Sequence, residues 1–322
     1  MTSLDDSSHA GGPEPSVAQL PLSRTTVDRS AERRRDDEWL AAAWCDPRTR
    51  VLVVERGRAV VDAANRLVYV APEQAPEGER YFLGVEGGQS YFAVAAPAGT
   101  LERLATSDSA APSGGSDRRV AGLRDIGALL DDRDAGLLVH AVALQRWHAT
   151  HGHCPRCGAV TVSQGAGHVR VCVEDASEHF PRVDPAVIML VRDEEDRCLL
   201  ARKPSWPEQR YSVLAGFVEP GESLEQAVAR EVAEEVGLYV AAARYIASQP
   251  WPFPSSLMLG FTATSSGEDV AVDQEEIVEA DWYSRTQLRR ATEQGTVLLP
   301  PETSIARRLI EGWYGGALPA TW

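Results

Sequence analysis

Apolar residues are distributed along this chain in three ways. Over residues 1–35 they are scattered among Ser, Gly, Pro and charge, ending in Ala31-Glu32-Arg33-Arg34-Arg35, and no period can be traced. Such a stretch lacks the apolar density to build a core, so a disordered tail is expected over 1–35. From Asp36 the density rises. Arg50–Val61 and Arg66–Ala71 are rich in Val and Leu and predict strands. Tyr81–Val85 and Ser90–Ala95 flank Glu86-Gly87-Gly88-Gln89, the pattern of a hairpin. Ala105–Arg119 is Ser-, Ala-, Gly- and Asp-rich and is expected to be a loop or insertion. Leu137, Leu138, Ala141, Leu144 and Trp147 recur at helical spacing, which predicts a helix over Ala135–Thr150. Residues 36–150 therefore read as a small N-terminal α/β domain without a chemical motif of its own.

Residues 151–181 hold Cys, His and Gly and are too few for a core of their own. From Pro185 the apolar pattern changes again. Ala186–Val191 is a continuous buried-strand run. Further strands are expected at Leu199–Lys203, Tyr211–Phe217, Arg244–Ser248, Leu257–Thr264 and Ile277–Tyr283, and a last helix near Thr303–Trp313. Strands interleaved with helices predict an α/β sandwich over 182–322. No internal repeat with a solenoid period is present.

Between two of these strands lies Gly216–Leu238, GFVEPGESLEQAVAREVAEEVGL. Ser223 followed by Gln226 is a capping box, Leu224, Ala227, Val228 and Val232 form an apolar stripe, and Gly237 is a helix stop. Glu231 and Glu235 stand four apart on one face, with Glu234 and Arg230 beside them. Carboxylates this close repel unless a cation sits among them, and hard divalent cations such as Mg²⁺ and Mn²⁺ take oxygen ligands shared with substrate phosphates. The bland alternative is a solvated acidic helix face. Downstream, Ser248-Gln249-Pro250-Trp251-Pro252-Phe253-Pro254-Ser255-Ser256 alternates proline with two aromatics. The prolines hold the backbone extended, and the rings either offer a platform for a flat base or pack into the core.

Charge excludes whole classes of function. The 322 residues carry 32 basic and 47 acidic side chains, a net of −15, which disfavours a general nucleic-acid coat, DNA binding and adhesion to anionic membrane. No apolar run approaches a membrane span, and Met1–Gly12 is polar and acidic with no apolar stretch after it, so no secretory signal and a cytoplasmic location are expected. Five cysteines then read as reduced thiols or metal ligands, not as a disulfide framework. Cys45 and Cys198 are isolated and read as plain thiols.

Gly216, Glu222 and Arg230-Glu231-Val232-Ala233-Glu234-Glu235-Val236-Gly237-Leu238 match the Nudix box at every defined position, so the chain resembles the Nudix hydrolase superfamily. The proline-aromatic array, with Leu214–Glu219, Ala280–Tyr283 and Ile305–Ile310, is similar to NADH pyrophosphatases of the NudC type over roughly residues 150–315. The resemblance implies a C-terminal Nudix α/β/α sandwich with a mixed sheet, a zinc-ribbon-like segment at 151–181 and the smaller N-terminal α/β domain. It implies Mg²⁺- or Mn²⁺-dependent cleavage of NAD(H) to NMN(H) and AMP, and a homodimer. Glu231, Glu235 and the carbonyl of Ala215 would bind metal, with Glu234 next in line. Glu276 is the late carboxylate, with Glu275 adjacent as an alternative register. Glu222 and Arg230 would hold the loop on the helix, and the general base is left open. Gln249, Pro250, Trp251, Pro252, Phe253, Pro254, Ser255 and Ser256 would line the nucleotide pocket, with Ala306 touching by its backbone and Arg124 and Phe180 contributing from the N-terminal side.

The same resemblance implies a structural zinc site. Cys154-Pro155-Arg156-Cys157 is an intact knuckle, but the second half reads Cys172-Val173-Glu174-Asp175, with Asp175 in place of a fourth cysteine. Either Cys154, Cys157, Cys172 and Asp175 bind Zn²⁺, or His153, His168 or His179 substitutes, or the ribbon has kept its shape without metal. Three further functional readings are weighed. They are removal of the NAD cap from RNA 5′ ends, turnover of ADP-ribose or diadenosine compounds, and a non-catalytic nucleotide sensor. An intact box and the lack of a basic recognition helix disfavour the last.

Overall fold

The computed structural model describes residues 20–106, 117–267, 269–319 and 321–322. These divide into two compact units. One comprises residues 20–186 with 248–259, the other 187–247 with 260–322.

In the first unit, α1 (Asp37–Cys45) leads into β1 (Arg50–Val54), β2 (Arg58–Val61) and β3 (Tyr69–Val70). They are followed by β4 (Glu79–Glu86), β5 (Gln89–Ala95), α2 (Thr100–Thr106), β6 (Arg119–Gly122), α3 (Leu123–Ile126) and α4 (Asp132–Thr150). One sheet has the order β3-β1-β5-β4, with β1 parallel to β5, and β2 pairs with β6. The period-2 alternation sorts the side chains. Leu52, Val54, Tyr81 and Leu83 pack against Leu137, Leu138, Ala141 and Leu144 of α4, while Val51, Val53, Phe82 and Phe92 face Trp39, Leu40 and Trp44 of α1. Gly87 and Gly88, both at positive φ, close the β4–β5 hairpin as expected. The apolar run Arg50–Val61 is two strands, because Arg56 and Gly57 take positive φ and turn the chain between them.

The tail expected over 1–35 lies outside the described residues as far as 19. From Leu20 the chain is packed: Leu20, Leu22 and Val27 are buried, Asp28 exchanges two backbone hydrogen bonds with Val85, and Arg24 reaches Asp132 and the carbonyls of Gly127 and Leu130. Three apolar anchors in a polar stretch leave the average composition unchanged, which is why the pattern concealed them. The loop expected over 105–119 is described only at its ends, where residues 105–106 finish α2 and Arg119 begins β6. A short antiparallel sheet of β7 (Thr161–Gln164), β8 (Val169–Cys172) and β9 (Glu178–His179) follows.

The sheet of the second unit is built on β10 (Asp184–Arg192), β11 (Cys198–Arg202), β12 (Leu214–Phe217), β13 (Val240–Trp251), β14 (Ser256–Ser265) and β15 (Glu279–Tyr283). Its helices are α5 (Leu224–Val236), α6 (Arg285–Glu293) and α7 (Ile305–Tyr314). The strand order is β13-β14-β10-β11-β15, with β12 also pairing β10. α5 packs on β12, and its Ala227, Val228 and Val232 are buried. Helix α6 carries Leu288 as its buried apolar residue among Arg, Gln and Thr, so its apolar pattern predicted no helix there. Among the described residues no helix is long and apolar enough to cross a membrane.

Candidate active site

The loop from β12 to α5 is built by local sequence. Ser223 Oγ accepts from the Gln226 amide while Gln226 Oε1 accepts from the Ser223 amide, so the capping box starts α5, and Gly237 ends it at φ 70°. Arg230 then ties the loop to the helix. Its Nε and one Nη donate to the two oxygens of Glu222 at 2.8 and 2.9 Å, and its guanidinium also reaches Glu231 (2.8 Å), Glu234 (3.1 Å) and the Phe217 carbonyl (2.9 Å). The Arg230 hydrogen bonds hold the Glu222 carboxyl below its ordinary range. Gly216 lies under Glu231: a Cβ at residue 216 would stand 1.9 Å from Glu231 Cδ, so only glycine lets this carboxylate lie against the strand. Ala215 is the neighbouring residue on β12.

Glu235 is set apart from the others. Its side chain is 2% exposed, and both carboxylate oxygens are buried without a hydrogen-bond partner. Burial is the largest influence on this carboxyl. Nearby Lys203 opposes it, Glu231, Glu276 and Asp273 add to it, and the pKa is pushed up to about 8. Lys203 Nζ lies 3.9 Å from Glu235 Oε1 and 3.7 Å from Glu276 Oε2. Glu276, not Glu275, therefore shares a cation with α5. The Asp273 carboxylate accepts the amides of Glu275, Glu276 and Ile277 and shapes that loop. Orphaned buried oxygens in a ring of carboxylates are costly in the bare protein and fit a divalent cation. Lys203 had no signal in the sequence, because its partners lie 32 and 73 positions further along the chain.

In the first unit Cys154, Cys157, Cys172 and Asp175 place one ligand atom each within 4.8 Å of one another. The sulfurs of Cys157 and Cys172 are 3.4 Å apart, too far for a disulfide and close to the ~3.8 Å that tetrahedral Zn–S bonds require. Ser177 supports this cluster: its hydroxyl and amide donate to Asp175 Oδ1, and Oγ lies 3.5 Å from Cys154 Sγ. The Ser177 contact comes first among the influences that pull the Cys154 thiol down to about 6. Of the alternative ligands, His168 Nε2 binds the Phe82 carbonyl and His153 bridges to Val160, whereas His179 stays beside the cluster, its Nε2 3.1 Å from Ser177 Oγ. Three thiols and one carboxylate suit Zn²⁺.

The segment 248–259 also belongs to the first unit. Gln249 is fully buried and its Oε1 accepts the Leu22 amide at 3.4 Å; Ser255 Oγ donates to Asp184 at 2.7 Å. Trp251 and Phe253 meet edge to face at 5.0 Å and pack against the core under α4. Pro252 is buried, Pro250 half-buried and Pro254 exposed, and Ser256 opens β14. The guanidinium of Arg124 lies 4.2 Å from the Phe253 centroid and 5.3 Å from that of Trp251, and Arg146, on α4, lies 5.4 Å from Phe253. The rings are thus fixed by the core and have two guanidiniums close to them; Arg146 was not foreseen. Phe180 is exposed. Ala306, in the second unit, is buried in the first turn of α7, and its amide already donates to Ser304 Oγ at 3.2 Å.

Comparison with known proteins places these features in one lineage. Residues 48–147 match the NADH pyrophosphatase-like rudimentary NUDIX domain, 149–180 the NADH pyrophosphatase zinc ribbon domain, and 182–300 the NUDIX domain. The chain is 42% identical over 309 residues to the NAD-capped RNA hydrolase NudC of Mycobacterium bovis BCG, covering 91% of this chain and 94% of that one. The same values hold for the protein of that name from Mycobacterium tuberculosis. It is 31% identical over 346 residues to the NAD-capped RNA hydrolase NUDT12 of Macaca fascicularis, covering 91% and 72% respectively. Given this identity over nearly its whole length, the chain belongs to the NudC-type NADH pyrophosphatases of the Nudix hydrolase family.

Proposed function

We propose that this protein hydrolyses the pyrophosphate bond of NAD(H), water adding to one phosphorus as the bridging P–O bond breaks, to give NMN(H) and AMP. The observation that carries the reading is Glu235, whose two oxygens are buried without a hydrogen-bond partner, near Glu231 and across Lys203 from Glu276, in a member of this family. Mg²⁺ or Mn²⁺ bound there would neutralise charge on the pyrophosphate and lower the pKa of an attacking water. Arg230 ties Glu222 of the loop to Glu231 and Glu234 of the helix, so these carboxylates keep their positions as the substrate's charge arrives. Glu231 lies against Gly216, which gives a direct test. In Gly216→Ala the added methyl displaces a flexible carboxylate tip and not the backbone. NADH turnover should then fall by about 10²-fold, the effect of an ångström-scale misplacement, while the melting temperature moves by less than about 4 °C. Unchanged turnover would show that Glu231 does not act where it lies.

A second reading, removal of the NAD cap from RNA, is favoured by Arg124 and Arg146, which both approach Phe253. A capped RNA carries a phosphodiester that the free dinucleotide lacks, and two guanidiniums over aromatic rings suit a nucleotide phosphate. Arg146→Ala is expected to lower kcat/KM for an NAD-capped oligonucleotide about tenfold and to leave NADH within twofold. Equal losses on both substrates would remove the RNA reading of Arg146. The cell context proposed is a reducing cytoplasm, which suits the free thiols among the described residues. The homodimer carried over from the family is checked by light scattering on the purified protein.

A further inference from the structure

Arg230 and Lys203 both stand among the acidic residues around α5, and they differ in kind. Arg230 is held by hydrogen bonds to Glu222, Glu231, Glu234 and the Phe217 carbonyl. Lys203 lies just beyond β11, half-exposed, at 3.9 Å from Glu235 and 3.7 Å from Glu276. Both separations lie within ion-pair range and beyond hydrogen-bond length, so Lys203 supplies charge without satisfying the lone pairs of Glu235. Glu235 comes from α5 and Glu276 from the loop before β15, and once both are ionised they repel unless a cation stands between them.

We infer that Lys203 is a cationic place-holder for the divalent metal: its ammonium holds Glu235 and Glu276 together in the metal-free protein and must swing out when the metal enters. The inference rests on reading the glutamate cluster as the metal site. The side chain is suited to it. A lysine ammonium is a compact charge on a flexible four-carbon stem and can exchange carboxylates for water, whereas the planar Arg230 fork is locked by its partners. Lys203 therefore competes with the metal and weakens its binding, in return for keeping the two carboxylates close.

The test is calorimetric titration of the metal-stripped, full-length protein with MnCl₂ alone, beside thermal melts with and without Mn²⁺. Lys203→Met should bind Mn²⁺ about tenfold more tightly than wild type. Its metal-free melting temperature should be lower and its rise on adding Mn²⁺ larger, whereas Lys203→Arg should keep a wild-type or weaker affinity. Equal or weaker Mn²⁺ binding by Lys203→Met overturns the inference, as does a raised KM for NADH with an unchanged Mn²⁺ affinity, which would make Lys203 a substrate contact. Glu235→Gln separates this failure from a failure of the metal site itself. If wild-type Mn²⁺ binding is indifferent to Glu235→Gln, the cluster is not the metal site and both ideas fall; if it depends on Glu235 and not on Lys203, only the place-holder falls.

Discussion

Glu235→Gln is expected to lower kcat for NADH on the order of 10³-fold or more, with the fold intact. The amide keeps the shape of the carboxylate and removes the negative charge that a divalent cation requires. The same substitution should stabilise the metal-free protein, because Glu235 is a buried carboxyl without hydrogen bonds, surrounded by Glu231, Glu276 and Asp273. The sign follows from linkage. The folded-state pKa is raised from an ordinary 4.5 to about 8, so the folded state holds a proton that the unfolded chain releases. Stability of the metal-free protein should therefore fall as pH rises from about 4.5 to about 8. Melting curves across that window should slope downward for wild type and be flatter for Glu235→Gln. Saturating Mg²⁺ should flatten the wild-type curve, since a bound cation replaces the proton. A variant that keeps near wild-type turnover would remove Glu235 from the chemistry, and parallel pH curves would remove it as the source of the slope.

Loss of the zinc cluster is expected to act on stability more than on chemistry. Cys154, Cys157, Cys172 and Asp175 converge in a segment of about 30 residues whose own apolar core is small, so metal binding and local folding are one event. A site that holds zinc at about a thousandfold excess over its Kd contributes about 4 kcal/mol. That corresponds to about 10 °C in melting temperature for a unit of this size. Cys157→Ser or chelation should produce a fall of that order. Metal analysis of purified protein should give one zinc per chain in wild type, none in Asp175→Ala, and one in Asp175→Cys, which would bind more tightly because thiolate is the softer ligand. One zinc retained in Asp175→Ala would show that Asp175 is not a ligand and that Ser177 or His179 stands closer to the metal than the four-residue set allows.

Much of this arrangement is local and was therefore readable along the chain. The capping box at Ser223 and Gln226, the helix stop at Gly237, the four-residue step from Glu231 to Glu235 and the turn at Gly87-Gly88 each depend on neighbours within a few positions. The three-residue step from Cys154 to Cys157 belongs with them. So does the family reading, since the box and the proline-aromatic array are contiguous strings. The elements misjudged were those whose apolar content is sparse or interrupted. Leu20, Leu22 and Val27 anchor a segment that looked like tail, and α6 carries its burial on Leu288.

By itself the sequence determined the local pieces, the capped acidic helix, the proline-aromatic array and the cysteine knuckle, because helix periodicity and turn stereochemistry act over short separations. Tertiary structure decided the rest. It set the difference between Glu275 and Glu276, the burial that isolates Glu235, the approach of Lys203 from beyond β11, and the meeting of Arg124 and Arg146 over Phe253. It also brought Asp175 to the three thiols, a position where spacing alone allowed three histidines as rivals. Most of these depend on parts of the chain that are distant in sequence, and desolvation and charge proximity, which fix the energies of such contacts, exist only once the chain is packed.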